Sequence, residues 1–348
     1  MYVIEKEQSD RIQIVKIVST FMVVFIHVNI DALARKNGLA LIVPHWLELF
    51  KFIISSCFSQ VAVPFFFLFS GIFLYSKEFT WKNNVNKKAR TLLIPYLFSI
   101  SVYILMFLVA QNMPIMSTYF SNPDNVISKW GILKWIDAYV GKIWSDKPFN
   151  VPMWFIRDLI FLNIFSVLIL KITNKVPIII LGLISLAWFS RWNLSVIDVQ
   201  ALFFIAGLFI VKYNIKIEVL DKIPWVPLLL ISVIFLYLDC KYKLVIIHQV
   251  SIIIYMISML KVSKYIASSR FSNNILKLSK YIFFIYAFHL IILTTMIKVL
   301  MRFIPQYSVI QMMEFCITPF LTVGICIWGA NILIKISPRL YGLITGGR

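Results

Sequence analysis

An all-α integral membrane protein is the fold class this sequence predicts: a polytopic bundle of about ten transmembrane helices with both termini cytoplasmic. Three observations carry that expectation. Of 348 residues, 60% are hydrophobic and only 14% are charged, the mean hydropathy is +0.86, and the apolar residues come in long blocks. Those blocks are about 17 to 25 residues long where they are clearest, the length a helix needs to cross a hydrocarbon core of ~30 Å. Lys and Arg then alternate in density between successive loops. With a cytoplasmic N-terminus, the inside segments 1–12, 76–90, 171–176, 212–223, 261–280 and 335–348 hold 20 of them. The longer outside segments hold 12, so the positive-inside rule places both ends in the cytoplasm.

The first span, 13–30, belongs to the run IQIVKIVSTFMVVFIHVNI that starts at Ile12. A mixed-charge segment (Glu5, Lys6, Glu7, Asp10, Arg11) precedes it and no small-residue cleavage site ends it, so it is expected to remain as a helix rather than to be removed as a signal peptide. Span 53–75 closes on the Phe-rich string VPFFFLFSGIFLY, and span 91–110 comes after the basic segment WKNNVNKKARTLLIPY. Span 153–170 opens on VPMWFIRDLIFLN. Spans 177–190, 199–211, 224–238 and 245–260 are shorter or interrupted. Span 281–300 contains FIYAFHLIIL, and 315–334 completes the set. With no internal repeat, low-complexity linker or soluble appendage, residues 1–348 read as a single integral-membrane domain. The formal charge of +19 is scattered over many short loops instead of forming one stripe, which speaks against nucleic acid and for topology signals and lipid headgroup contacts. Cys57, Cys240, Cys316 and Cys326 stand apart in or beside apolar spans, with neither metal spacing nor a paired framework, and read as packing residues.

Chemistry-bearing residues inside the spans need a reason, because an ionisable group at membrane depth costs on the order of 3 kcal/mol unless paired or wetted. Lys16 and His27 are eleven residues apart, about three turns and roughly 16 Å along one helical face. Asp31 lies four residues beyond His27, a spacing at which a carboxylate holds an imidazole in one tautomer, as general-base pairs require. The alternative for His27 is a buried histidine bonded to a neighbouring helix. Ser70 and Gly71 interrupt the Phe-rich run, where packing is the stronger reading; no nucleophile-elbow motif surrounds Ser70. Lys82, Lys87, Lys88 and Arg90 suit either a phosphate-bearing cytoplasmic ligand or a positive-inside anchor. Arg157 and Asp158 are adjacent, do not face one another on a helix, and are expected to find separate partners at a cavity mouth or in an interhelical ion pair. His289 is a second embedded imidazole, either lining a polar cavity or serving as a structural hydrogen-bonding group. The outside loop 111–152 carries Trp130, Trp135, Tyr139 and Trp144 at helix-compatible spacing, either an interfacial aromatic belt or a surface on which a carbohydrate stacks.

Taken together, these segments resemble the integral-membrane acyltransferase 3 family through most of the chain. The family opens with a basic residue eleven positions before a histidine, matched by Lys16 and His27. VPFFFLFSGIFL (63–74), KKAR to IPY (87–96), MWF (153–155) and YAFH (286–289) are similar to its later marks. The resemblance implies ten helices and transfer of an acyl group, usually acetyl, from cytoplasmic acyl-CoA to an acceptor hydroxyl, often on an outward-facing sugar. It implies that His27 is the essential histidine, Lys16 its basic partner, and Lys87 and Arg90 the pair associated with acyl-CoA. Two positions depart from the family pattern. Gln13 stands where many members carry an acid, and Lys16 replaces the commoner Arg, losing bidentate phosphate contact.

The reaction expected from these residues uses acetyl-CoA as co-substrate, with no permanently bound cofactor and no metal. Lys82, Lys87, Lys88 and Arg90 would hold the CoA phosphates. The pantetheine arm would pass Lys16 to bring its thioester to His27, the general base, oriented by Asp31. Ser70, Arg157 and His289 are candidate donors to the oxyanion, and Trp154, Arg157 and Asp158 candidate acceptor contacts. A cell-envelope polysaccharide such as O-antigen in a bacterial inner membrane is the first choice of acceptor and place. A transporter or flippase for a lipid-linked glycan is the competing reading, disfavoured because no internal symmetry is visible.

Overall fold

The computed structural model describes residues 2–36, 43–114, 116–117, 125–141, 143, 145–191 and 198–347; the side chains of 34–36 are excepted. Among the described residues the regular structure is helical throughout. In chain order the helices are α1 (Lys6–Ile26), α2 (Ile30–Lys36), α3 (His45–Lys51), α4 (Ala62–Tyr75), α5 (Trp81–Lys88), α6 (Ile94–Asn112), α7 (Ile132–Val140), α8 (Trp154–Ile164) and α9 (Ser166–Lys175). They continue as α10 (Pro177–Phe189), α11 (Leu202–Lys212), α12 (Trp225–Tyr242), α13 (Val245–Ala267), α14 (Ser272–Leu276), α15 (Ile282–Phe303), α16 (Ser308–Ile336) and α17 (Pro338–Thr345).

Seven helical stretches are long and apolar enough to cross a membrane: Lys6–Leu33, which includes the break between α1 and α2, His45–Tyr75, Trp81–Asn112, Trp225–Tyr242, Val245–Ala267, Ser272–Phe303 and Ser308–Ile336. The expected span 153–170 differs, because the chain bends by 63° between α8 and α9. The expected spans 177–190 and 199–211 form helices, but α10 has 13 residues, about 20 Å of rise and short of a ~30 Å core. Seven crossings, or eight with the bent pair counted as one, are therefore what length and composition support.

The first helix starts earlier than the apolar run. Glu5 and Gln8 form a capping box, with the Glu5 N–H donating to Gln8 Oε1 at 3.4 Å, so α1 begins at Lys6 and carries Arg11 within it. Arg11, read from sequence as a loop charge, is 0% exposed.

The described residues fall into two compact units built from interleaved segments. One comprises Met1–His27, Val43–Asn84 and Leu162–Ile282, the other Val28–Ile42, Val85–Phe161 and Phe283–Arg348. In the first unit, α4 and α11 pack backbone to backbone. A Cβ added at Gly71 would stand 2.2 Å from the Phe204 carbonyl oxygen, and one at Gly207 2.4 Å from that of Leu68. Small residues at a helix crossing let dispersion act over a closer approach, which is what drives association where lipid removes the hydrophobic force. The core around this crossing includes Ile12, Val15, Phe65, Phe69, Ile72, Trp188 and Tyr255.

The α8–α9 bend belongs partly to this unit. Where a helix breaks, carbonyls lose their intrahelical donors and need others. Here Trp81 Nε1 donates to Ile164 O at 2.8 Å, Asn84 Nδ2 to Asn163 O at 3.2 Å, and the Tyr75 hydroxyl to Ser166 O at 3.0 Å. The bend thereby fixes the start of the basic helix α5.

In the second unit the start of α8 is tied to α15. Asn150 Nδ2 donates to Ala287 O at 3.0 Å, and the Tyr286 hydroxyl donates to Pro152 O. The last helix, α17, ends at Gly346 with φ +69°, and a Cβ there would lie 2.4 Å from Thr91 O, so the C-terminal cap is seated against the turn that carries Arg90.

Candidate active site

Lys16 and His27 both belong to α1, as the spacing predicts, with Lys16 at its midpoint and His27 as its C-cap. The Lys16 ammonium lies 5.8 Å from the centroid of the Phe73 ring on α4, a cation–π arrangement that answers part of its desolvation. The string around Ser70 and the Lys16 helix are thus brought together. The His27 backbone N–H bonds back to Val24 O at 3.1 Å, which closes the helix. At this position the imidazole sits at the carbonyl end of α1, where the helix dipole stabilises positive charge.

Asp31 does not share that helix. α1 ends at Ile26, residues 27–29 form a break, and Asp31 opens the first turn of α2. The i,i+4 face expected for His27 and Asp31 is that of a continuous helix, and residues 27–29 interrupt it. Asn29 explains the restart: its Oδ1 accepts from the Ala32 N–H at 3.1 Å, an Asx contact that favours helix initiation over continuation.

The basic segment is helical. Lys82, Lys87 and Lys88 lie on α5, and Arg90 lies in a π-helical turn, Ala89–Leu93, that joins α5 to α6. Lys82, Lys87 and Arg90 are exposed and Lys88 half-buried. A π-turn adds a residue to the local repeat and rotates the succeeding helix about its axis relative to a regular α-helix. The face shared by Lys87 and Arg90 is set by that turn as much as by their three-residue spacing.

Ser70 donates its hydroxyl proton to Phe66 O at 2.7 Å, along its own helix. His289 is 0% exposed, and its Nδ1 is 3.0 Å from both Ile285 O and Tyr286 O. Two carbonyl partners require the proton on Nδ1, so the neutral ring presents Nε2 as a lone pair. Both side chains give a proton to backbone in this conformation.

The adjacent pair departs from the expectation of separate partners. Arg157 Nε donates to Asp158 Oδ1 at 2.9 Å, with Asp158 1% exposed. The long guanidinium stem lets Arg157 curl back across one residue although the two Cβ vectors diverge. Its Nη1 also reaches Val140 O at 2.9 Å, Gly141 O at 3.1 Å and Asp146 O at 3.3 Å. Val140 ends α7 and Gly141 is its left-handed cap (φ +64°), so Arg157 places a cation on the carbonyl end of a helix. Trp154 opens α8, is buried, and has the Lys147 ammonium 5.7 Å from a ring centroid.

Within the segment expected as an outside loop, residues 132–140 form the amphipathic helix α7, as the aromatics predict. Ile132 is 74% exposed while Asp137 is buried, accepting from the Ile143 N–H at 2.8 Å and the Ser145 hydroxyl at 2.9 Å. Trp130 packs edge-on against Trp135 and Phe149, with centroids 5.3 and 5.0 Å apart. The Tyr139 carbonyl accepts from Tyr96, and its hydroxyl meets Ser101 Oγ at 2.8 Å. Trp130 and Tyr139 are half-buried in these contacts while Trp135 stays exposed; Trp144 lies outside the described residues.

Two polar sets were not foreseen. Arg11, Asp221 and Lys264 form an ion-pair network, and Asp239 bonds both His248 Nδ1 at 2.8 Å and the Cys57 thiol at 3.5 Å. In each, partners are tens or hundreds of residues apart or flank a tight turn, so no local spacing announces them. Cys57 is accordingly a hydrogen-bonding group as well as a packing residue. Among the described residues no group of three or more His, Cys, Asp or Glu is arranged to hold a metal ion.

A family model described as "Acyltransferase domain" matches residues 9–331. The chain is 22% identical over 369 aligned positions to the succinoglycan biosynthesis protein ExoH of Rhizobium meliloti (strain 1021), covering 98% of this chain and 92% of that protein. No solved structure matches.

Proposed function

The chain belongs to the acyltransferase family whose model spans residues 9–331, and from that premise we propose that it moves an acyl group, acetyl first among the candidates, from acyl-CoA to a hydroxyl of a cell-envelope polysaccharide such as O-antigen. It is a polytopic membrane acyltransferase. The single observation that carries the finer reading is the placement of Lys16 and His27 on one helix, at the spacing of the family's basic residue and histidine. The polysaccharide acceptor is supported by the relative named for succinoglycan biosynthesis.

In this reading His27 accepts the proton of the acceptor hydroxyl as its oxygen attacks the thioester carbonyl. The tetrahedral intermediate collapses by breaking the C–S bond, and the imidazolium returns its proton to the departing CoA thiolate. Negative charge on the intermediate oxygen requires a donor. The positive charge that grows on His27 faces the carbonyl end of α1, which stabilises it. Lys87 and Arg90, with Lys82 and Lys88, hold the CoA phosphates, Arg through paired contacts and Lys as point charges. Lys16 supplies positive charge along the pantetheine path. Ten crossings with both termini cytoplasmic and residence in a bacterial inner membrane complete the proposal.

The test is direct. Purified protein is incubated with radiolabelled acetyl-CoA and candidate glycans, and label is traced into glycan. Transfer supports the proposal. Absence of both CoA binding and CoA hydrolysis, in protein that moves a lipid-linked glycan across vesicles, sinks it in favour of transport.

A further inference from the structure

In the first unit a groove of about 410 Å³ runs between α1, α12 and α13. Its walls are almost entirely hydrocarbon: Val18, Met22, Leu236 and Met259 contribute, with Tyr255 and Phe58 toward one end. The two serines of its middle, Ser232 and Ser258, lie 3.2 Å apart. They donate back to Leu228 O and Ile254 O at 2.7 and 3.0 Å, so their polarity is answered within the walls. The groove opens sideways, since Leu229 and Val233 line it and are 63% and 55% exposed. Along α13 the lining runs from Tyr255 to Ile266, roughly 16 Å of rise, about half of a ~30 Å hydrocarbon core and therefore one leaflet deep.

One end is electrostatically distinct. Ser263 lines the groove and accepts from Arg11 Nε at 3.3 Å. Arg11 also donates both terminal nitrogens to Asp221 at 3.0 Å. Lys264 reaches the same carboxylate at 3.3 Å while staying 45% exposed. Lys261 donates to the carbonyls of Asp221 and Ile223 and stands 5.0 Å over the Trp225 ring. Two cations thus pair with the Asp221 carboxylate and a third stands on the adjacent backbone carbonyls, so positive charge outnumbers negative within this cluster. Trp225 Nε1 donates to the Tyr265 hydroxyl at 2.8 Å beside them, an aromatic pair of the kind that sits at headgroup level.

We infer that this groove is a binding site for one acyl chain of an anionic glycerophospholipid, whose phosphate sits against Lys264 at the Arg11–Lys261 end. The leaflet-length apolar trough specifies a chain, and the surplus charge at one end specifies the sign of its headgroup. A lipid held there completes the packing of α12, of which only 11% of the apolar window is buried.

Native mass spectrometry of the full chain in mild detergent tests this, titrating phosphatidylglycerol and phosphatidylcholine of identical chains. Wild type is expected to bind phosphatidylglycerol about tenfold or more tightly than phosphatidylcholine, and Lys264→Glu to remove that preference. Ser258→Phe, which fills the trough and leaves the charges alone, is expected to weaken both lipids. Circular dichroism establishes that each variant is folded, and the charge-conserving variant Lys264→Arg should retain the preference if Lys264→Glu fails to fold. Equal binding of the two lipids by wild type, unchanged binding in the variants, or retention of a polyprenyl phosphate in place of a glycerophospholipid would overturn the inference.

Discussion

Arg157 curls sideways to Asp158 and backward to the end of α7, and the consequence is that one side chain ties α8 to the end of α7 and to the segment at Asp146. Removing it takes a charged partner from a carboxylate that is 1% exposed and a side-chain donor from three carbonyls. Arg157→Ala is therefore expected to lower stability by about 3 kcal/mol, read as a drop in melting temperature and new protease cleavage between residues 131 and 150, with Arg157→Lys intermediate because it keeps the charge and loses the fork. Lys87 and Arg90 behave differently, being exposed. Lys87→Ala and Arg90→Ala should each raise KM for acyl-CoA about tenfold with little loss of kcat; an unchanged KM in both would assign them to topology alone. At this scale the sequence disclosed which residues are costly, and Lys16, His27 and His289 stand out because polar groups in an apolar run are conspicuous. It did not disclose partners. Arg157 with Asp158 and Arg11 with Asp221 depend on side-chain reach and on contacts over as many as 210 residues, which no helical spacing encodes.

At the scale of elements, the α4–α11 crossing is held by two glycines, and their removal has a calculable direction. A Gly71→Ala methyl would stand 2.2 Å from a backbone oxygen that cannot rotate away, so the helices must separate at a cost of about 1–3 kcal/mol. Gly182→Ala, with nothing within 4 Å, should be neutral or slightly stabilising in the same thermal-unfolding assay. The Asp221 network that joins α1, α13 and the segment before α12 gives a pH signature. Burial alone would raise the Asp221 carboxyl, but hydrogen bonds and charge from Arg11 and Lys264 outweigh it and hold it below the ordinary carboxylate range. Its stabilising contribution is therefore complete above the unfolded value near 4 and is lost as pH falls below that toward the folded value. Asp221→Asn should flatten the acid limb of the stability profile; an unaltered limb would place the acid sensitivity elsewhere. Helix identity was legible from apolar blocks, whereas breaks were not. The halt after Ile26 and the bend at Phe165 involve no Pro or Gly at the break, and both depend on side chains that satisfy backbone groups, Asn29 in one case and Tyr75, Trp81 and Asn84 in the other.

For the molecule as a whole, composition alone excluded a soluble domain, and the order of apolar blocks matched the order of helices. Crossing number is where apolar blocks and helix lengths differ, because α10 has 13 residues and α8 and α9 form a bent pair, so seven helices, or eight with that pair as one, are long and apolar enough to cross. Alkaline phosphatase inserted in the turn at Lys243–Leu244 is expected to be active and a fusion at the C-terminus inactive; the reverse pattern would invert the proposed orientation. The central claim is that this membrane acyltransferase uses His27 as its general base, and the measurement that tests it most directly compares wild type with His27→Ala. Transfer of radiolabelled acetyl from acetyl-CoA to glycan is read beside equilibrium CoA binding. The account predicts transfer lower by about 100-fold or more with CoA binding retained. Transfer within about tenfold of wild type in the folded variant would contradict it.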